Sequence, residues 1–120
     1  MEKRTKVVYL REKSTTQFKG EPFGCLAFKV DDDNNLQFQY SVTNPQDTFK
    51  RKVGRSLAVG RLVEEPLVVQ NLPRLDFLQS MEVIMKTLLA QKSTPTKVQK
   101  AARAWLKRSK EAEQKNSYQP

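Results

Sequence analysis

The stretch from Leu36 to Thr43 alternates strictly. Leu36, Phe38, Tyr40 and Val42 fall on one side, and Gln37, Gln39, Ser41 and Thr43 on the other. A period of two belongs to a strand, because successive Cβ atoms point to opposite faces of a sheet. The chain must therefore build a sheet with at least one apolar face. The pattern predicts a core face and a wet face. Two earlier segments supply neighbours. Thr5–Glu12, with Val7, Val8, Tyr9 and Leu10, reads as a first strand, and Phe23–Val30 as a second. In the second, Leu26, Phe28 and Val30 share one face, while Cys25 and Ala27 make the other apolar too. A strand apolar on both faces is predicted at the sheet centre or at a subunit contact.

Residues 13–21 are polar and punctuated by Gly20, as in a loop. Its Lys13 and Lys19 suit an exposed hairpin tip or a phosphate contact. The run Asp31-Asp32-Asp33-Asn34-Asn35 reads as the next turn. It lacks the spaced ligands, glycine and closing glutamate of a helix–loop–helix calcium site.

A helix is predicted next. Asn44 suits the N-cap, Pro45 the first helical position, and Asp47 the first turn, where its charge meets the positive helix end. Pro66 stops the helix near Glu64 or Glu65. Phe49, Val53, Leu57, Gly60 and Val63 recur at helical spacing and are predicted as its buried stripe. Asp47, Arg51, Gly54, Arg55, Ala58 and Leu62 fall on the other side, bordered by Lys50 and Arg61. Small residues beside arginines let something approach the backbone and let guanidinium groups grip an anion there. The same pattern also suits helix packing with solvated arginines.

Leu67-Val68-Val69 reads as a short fourth strand at a sheet edge. Asn71 and Pro73 introduce a helix to about Gln91, with Leu75, Leu78, Met81, Ile84, Met85, Leu88 and Leu89 as its apolar stripe and Phe77 at the boundary. Ser93-Thr94-Pro95 begins a last helix to about Gln114. Val98, Ala102, Trp105 and Ala112 line one side of it, and Lys100, Arg103, Lys107 and Lys110 the other. Trp105 suits a core anchor or a stacking surface. The whole is α+β: a three-stranded antiparallel meander, with or without the short fourth strand, followed by three helices. It forms one domain over residues 1–114, with 115–120 as a frayed tail.

The chemistry is bounded by what the chain lacks. It has no histidine, which removes the usual general base and the commonest metal ligand. Cys25 is the single cysteine, so an internal disulfide and a cysteine zinc cluster are excluded. No paired acid–base arrangement, glycine-rich phosphate loop or metal-spaced acidic set stands out, so neither an enzyme nor a cofactor is expected. With 22 Lys+Arg against 13 Asp+Glu, the net charge of +9 draws anionic partners. No segment approaches the length of a membrane span or a signal peptide, which predicts a cytoplasmic protein.

The run from Asn44-Pro45-Gln46-Asp47-Thr48-Phe49 through Gly54-Arg55 to Gly60-Arg61-Leu62 resembles a pattern in small bacteriophage accessory proteins. In size and element order the chain is similar to the phage proteins that counter Thoeris defence. Those proteins act as sponges for cyclic ADP-ribose signals, and some bind cyclic oligonucleotides, without cleaving them. The resemblance implies a homo-oligomer with pockets at subunit contacts.

The function expected is sequestration of a small anionic nucleotide. On chemistry alone, Arg51, Arg55 and Arg61 are the phosphate donors, with Asn44 and Asp47 orienting them or reading a ribose or base edge. Arg103 and Lys107 would supply a cationic rim. Trp105, Tyr40 and Phe77 are the candidates for base stacking. Two other readings fit the charge: a DNA- or RNA-binding protein using the Lys100–Lys110 ridge, and an inhibitor docking on an acidic host protein.

Overall fold

The computed structural model describes residues 5–11, 22–43, 47–70 and 76–117, with 110–117 as backbone only. The expectations for Lys13, Lys19, Asn44, Pro45, Asn71, Pro73 and Leu75, and for the side chains of Lys110 and Ala112, lie outside these residues.

Strands β1 (Lys6–Arg11), β2 (Pro22–Val30), β3 (Leu36–Val42) and β4 (Leu67–Val69) form one antiparallel sheet in the order β1-β2-β3-β4. Helix α1 (Arg51–Glu64) lies between β3 and β4 in sequence, and α2 (Phe77–Ala90) and α3 (Thr96–Ser117) follow. The fold is α+β as predicted, with the short fourth strand present at an edge. α3 continues past Gln114 to Ser117.

The β2–β3 turn is built on Asp31. Its Oδ1 accepts the backbone N–H groups of Asp33 and Asn35, both at 2.9 Å, and its Oδ2 accepts Gln37 Nε2 at 3.1 Å. Asn34 takes the left-handed conformation, φ 63°, which asparagine tolerates well. The hydrogen bond from the Asn35 backbone, with those from Gln37 and Asp33, holds the Asp31 carboxyl below the usual carboxylate range against the opposing effect of desolvation.

The sheet is covered on both faces. On one, Leu10, Leu26, Phe28, Leu36 and Phe38 meet Met81, Ile84, Met85 and Leu88 of α2 and Val98 and Ala102 of α3 in the main core. Fully burying side chains such as Phe38, Leu26 or Ile84 contributes about 1.5–3 kcal/mol each. Phe23 joins this core because Leu10 pairs with Gly24 and Arg11 with Pro22. That leaves Phe23 as the extra residue of a bulge, which re-aims a side chain. On the other face, Cys25 and Ala27 meet Ala58 and Leu62 of α1. β2 is thus interior and buried on both sides, as its composition predicted.

Three local expectations are corrected. The side of β3 predicted to be wet is roofed by α1: Ser41 is buried and its hydroxyl donates to the Gly54 carbonyl at 2.9 Å. α1 starts at Arg51, with extended Lys50 at the cap making no side-chain cap bond, so Asp47 precedes the helix instead of sitting in its first turn. Most consequentially, α1 is turned over. Its buried residues are Gly54, Ala58 and Leu62, while Val53, Leu57 and Val63 are 53%, 50% and 72% exposed. Phe49 precedes the helix and packs partly buried on the second core.

The reason is distance. Gly54 lies so close to the sheet that a Cβ there would stand 2.9 Å from both Cys25 Sγ and the Phe49 ring. Only small residues permit that approach, and a valine–leucine stripe would hold the helix off. Gly24 is under a similar constraint, because its Cβ would run into the Ser41 carbonyl oxygen.

The other two helices differ from expectation at their starts. α2 begins with a capping box: Asp76 accepts the Gln79 N–H at 2.7 Å, and Gln79 Oε1 accepts the Asp76 N–H at 3.0 Å. Leu78, expected in the buried stripe, is 62% exposed. Before α3, Thr94 is buried and its hydroxyl has no partner among the described residues, so it does not act as the side-chain cap expected of it.

The glycines give a stability test. Gly24→Ala should cost about 2 kcal/mol or more, since backbone must move. Gly54→Ala should destabilise despite the roughly 1 kcal/mol helix-propensity gain. Gly60→Ala, where a Cβ meets nothing within 4 Å, should stabilise by about 0.5–1 kcal/mol. Urea unfolding of dilute protein measures all three.

Candidate functional site

Where α1 sits decides where its arginines go. Arg51 and Arg55 are one turn apart and flank the buried stripe on the β1 side; Arg61 flanks it on the β3 side. The Arg51 guanidinium lies 5.2 Å from the centre of the Tyr9 ring on β1. Arg55 acts electrostatically on Cys25, the residue paired with Tyr9 across the sheet. Arg61 Nη1 donates to the Tyr40 carbonyl at 3.1 Å. Ten residues at 1.5 Å rise put Arg51 and Arg61 about 15 Å apart along the helix. The three arginines expected to act together are divided between two margins of the sheet.

The β1 margin gathers further groups. Arg11 also lies over the Tyr9 ring, at 5.8 Å, and Phe49 meets that ring edge-on at 6.1 Å. Tyr9 and Arg11 in turn line a hollow of about 170 Å³ that opens onto the other face of the sheet, between β1, α2 and α3. Met81 and Met85 of α2 and Ala101 of α3 line its interior side, with Val8 and Leu10 of β1. Phe77, Trp105 and Arg108 complete it. Phe77 is 40% exposed and packs on Phe28 at 5.7 Å, and Lys6 Nζ stands 5.2 Å from its ring centre. Trp105 is half-buried, packed on the main core with part of its surface open.

An apolar, aromatic hollow lined by two arginines, Arg11 and Arg108, can take a flat heteroaromatic ring and hold an anion attached to it. Its volume is about half that at which ordinary small-ligand pockets begin, roughly 300 Å³. It fits one ring system, with the rest of a ligand lying out over the margin. Among the described residues no carboxylate pairs with Arg51 or Arg108. Nor do any three acidic or cysteine side chains gather to hold a metal.

The other predicted site residues lie elsewhere. Tyr40 packs its side chain against the main core beside Arg61 and apart from Arg51, and burial pushes its hydroxyl pKa up, partly opposed by Arg61. Arg103 and Lys107 are exposed on the outer side of α3 with Lys100. Asp47 is exposed beside a second hollow of about 680 Å³ along α1, lined also by Lys50, Val53 and Leu57. Sequence reasoning therefore named Arg51, Trp105 and Phe77 at the β1 margin but missed Arg11 and Arg108. Arg108 was visible as the residue one helical turn beyond Trp105, on the apolar side of an otherwise amphipathic helix. Arg11 carried no comparable signal.

Comparison of the chain with protein-family models, with curated proteins and with solved structures finds no match. No helix among the described residues is long and apolar enough to cross a membrane.

Cys25 takes no part in the site. It is fully buried, and desolvation raises its thiol pKa, with Arg55 opposing. The folded state keeps this proton to higher pH than the unfolded chain. The thiol's contribution to stability is thus intact below the unfolded pKa and is lost as pH rises beyond it. Native protein should resist an aromatic disulfide reagent at neutral pH and react fully once unfolded in guanidinium. Alkaline titration should lower stability above the ordinary thiol range.

Proposed function

We propose that the chain is a non-enzymatic, homo-oligomeric, cytoplasmic protein that sequesters a small anionic nucleotide signal in phage counter-defence. The ligand class is a cyclic ADP-ribose or a cyclic oligonucleotide. The observation that carries the reading is the hollow at the β1 margin, where Trp105 and Phe77 stand beside Arg11 and Arg108. In this reading one base enters the hollow against Trp105, as base–aromatic stacking favours, at about 1–3 kcal/mol per base. The phosphates lie over the margin, where Arg11, Arg51 and Arg108 present guanidinium groups to them.

The exposed ridge of Lys100, Arg103 and Lys107 favours a second reading, a phosphate-backbone contact with nucleic acid. The two differ in salt response and in which residues matter.

Trp105 is the only tryptophan, so its fluorescence reports directly on the hollow. Titration with cyclic ADP-ribose isomers and cyclic di- and trinucleotides should quench or shift it, with calorimetry giving the stoichiometry. Trp105→Ala and Arg108→Ala should each weaken binding about tenfold or more, and Arg103→Ala should leave it nearly unchanged. Absence of binding to every nucleotide at micromolar protein, alongside tight salt-sensitive binding to DNA or RNA, would replace this reading with the second.

A further inference from the structure

Helix α1 is apolar on both sides, and one side is bare. Its inner stripe of Gly54, Ala58 and Leu62 is buried against the sheet. Its outer side carries Val53, Leu57 and Val63, each at least half exposed. A contiguous apolar patch left exposed on one side of a helix marks a contact surface. Lys50, Val53 and Leu57 also line one hollow, so they share a single surface.

The outer residues follow the spacing of a helix–helix seam. Lys50, Val53, Leu57, Gly60 and Glu64 are separated by three, four, three and four. Leu57 is the midpoint: reversal about it exchanges positions 50 and 64, returns 57 to itself, and brings 53 within one residue of 60. A two-fold axis through Leu57 sets Leu57 against itself. It sets Val53 near Gly60 of the other copy, where a Cβ would have met nothing within 4 Å. It sets Lys50 against Glu64.

The end charges fit the same arrangement. α1 has Lys50, Arg51 and Lys52 at its N-terminal end, with no acidic residue in the first turn, and Glu64 and Glu65 at its C-terminal end. Both clusters oppose the helix dipole, so they are unfavourable in an isolated copy. Antiparallel pairing brings each basic end beside an acidic end.

We propose that the outer side of α1 is an isologous interface, on which a second copy of this chain packs its own α1 antiparallel about a two-fold axis at Leu57. This deepens the oligomer expectation by naming the surface, and it does not depend on what the β1 hollow binds.

Sedimentation equilibrium of the full chain from micromolar to millimolar concentration tests it. The expected result is a concentration-dependent dimer whose dissociation constant rises at least tenfold in Leu57→Glu. Leu57 is half exposed in the single copy, so circular dichroism of that variant should be unchanged. Lys50→Glu and Glu64→Lys should each weaken the dimer, and the double variant should restore it. The two single variants mixed together should associate more tightly than either alone. Leu57→Cys should form a disulfide-linked dimer under mild oxidation, whereas Val53→Cys should not. A single-chain mass at every concentration would overturn the proposal, as would a dimer indifferent to Leu57→Glu or a double variant that fails to rescue. Nucleotide titrations of the same variants keep the two readings apart, since the hollow should bind equally well in all of them.

Discussion

The close approach of α1 to the sheet governs the rest of this structure. Ser41 reaches the Gly54 carbonyl, and Gly54 sits against Cys25 with no room for a methyl group. This contact uses small residues on both sides: Gly54 and Ala58 above, Cys25, Ala27 and Ser41 below. Once the helix is seated there, its larger apolar residues must face outward. Its arginines must leave along the two margins, Arg51 and Arg55 toward β1 and Arg61 toward β3. The C-terminal end is then fixed by polar contacts, with Gln39 Nε2 donating to the Glu65 carbonyl at 2.7 Å and Arg61 donating to that of Tyr40.

The sheet was legible because its signals are of residue type and period. Alternation marked β3, two-sided apolarity marked interior β2, and Pro66 marked the end of α1. The orientation of α1 was not legible, because the stripe reading weighs apolar size. Val53, Leu57 and Val63 outweigh Gly54, Ala58 and Leu62 on that measure. The deciding quantity is how near the helix must come, and that depends on partners in β2 and β3. Ser41 misled for the same reason: a serine reads as solvated until a backbone carbonyl is brought to it. The capping box of α2 was written in the chain as Asp76-x-x-Gln79, and the nearby Asn71 and Pro73 competed with it.

The candidate site shows the same division. Aromatic and cationic residue types could be named from the chain, but which of them meet is a matter of strand order. β1 is an edge strand, with α1 reaching it over one face and α2 and α3 over the other. Tyr9 lies at that junction, touching Arg51 and Phe49 from the α1 layer while lining the hollow beneath Trp105 and Phe77. Arg11, two residues on, serves the same corner. Cationic side chains from α1, β1 and α3 therefore collect at one margin although they are distant in sequence.

The outer side of α1 and the β1 margin face different directions. At about 100° per residue, Arg51 and Arg55 each stand about 160° around the helix from Val53. A pair joined through the outer side would leave both β1 margins open, facing away from the shared axis. Each copy would then hold its ligand with its own residues, one nucleotide per chain. This differs from the resemblance to the phage sponges, which implies pockets completed by a neighbouring subunit. The size of the hollow bears on that difference. A space of about 170 Å³ encloses one ring and leaves the remainder of a dinucleotide uncovered. Under the proposed nucleotide reading, affinity there would rest on stacking against Trp105 and on guanidinium contacts at the rim more than on enclosure. The electrostatic share of binding at an open rim is screened by salt, whereas the stacking share is not.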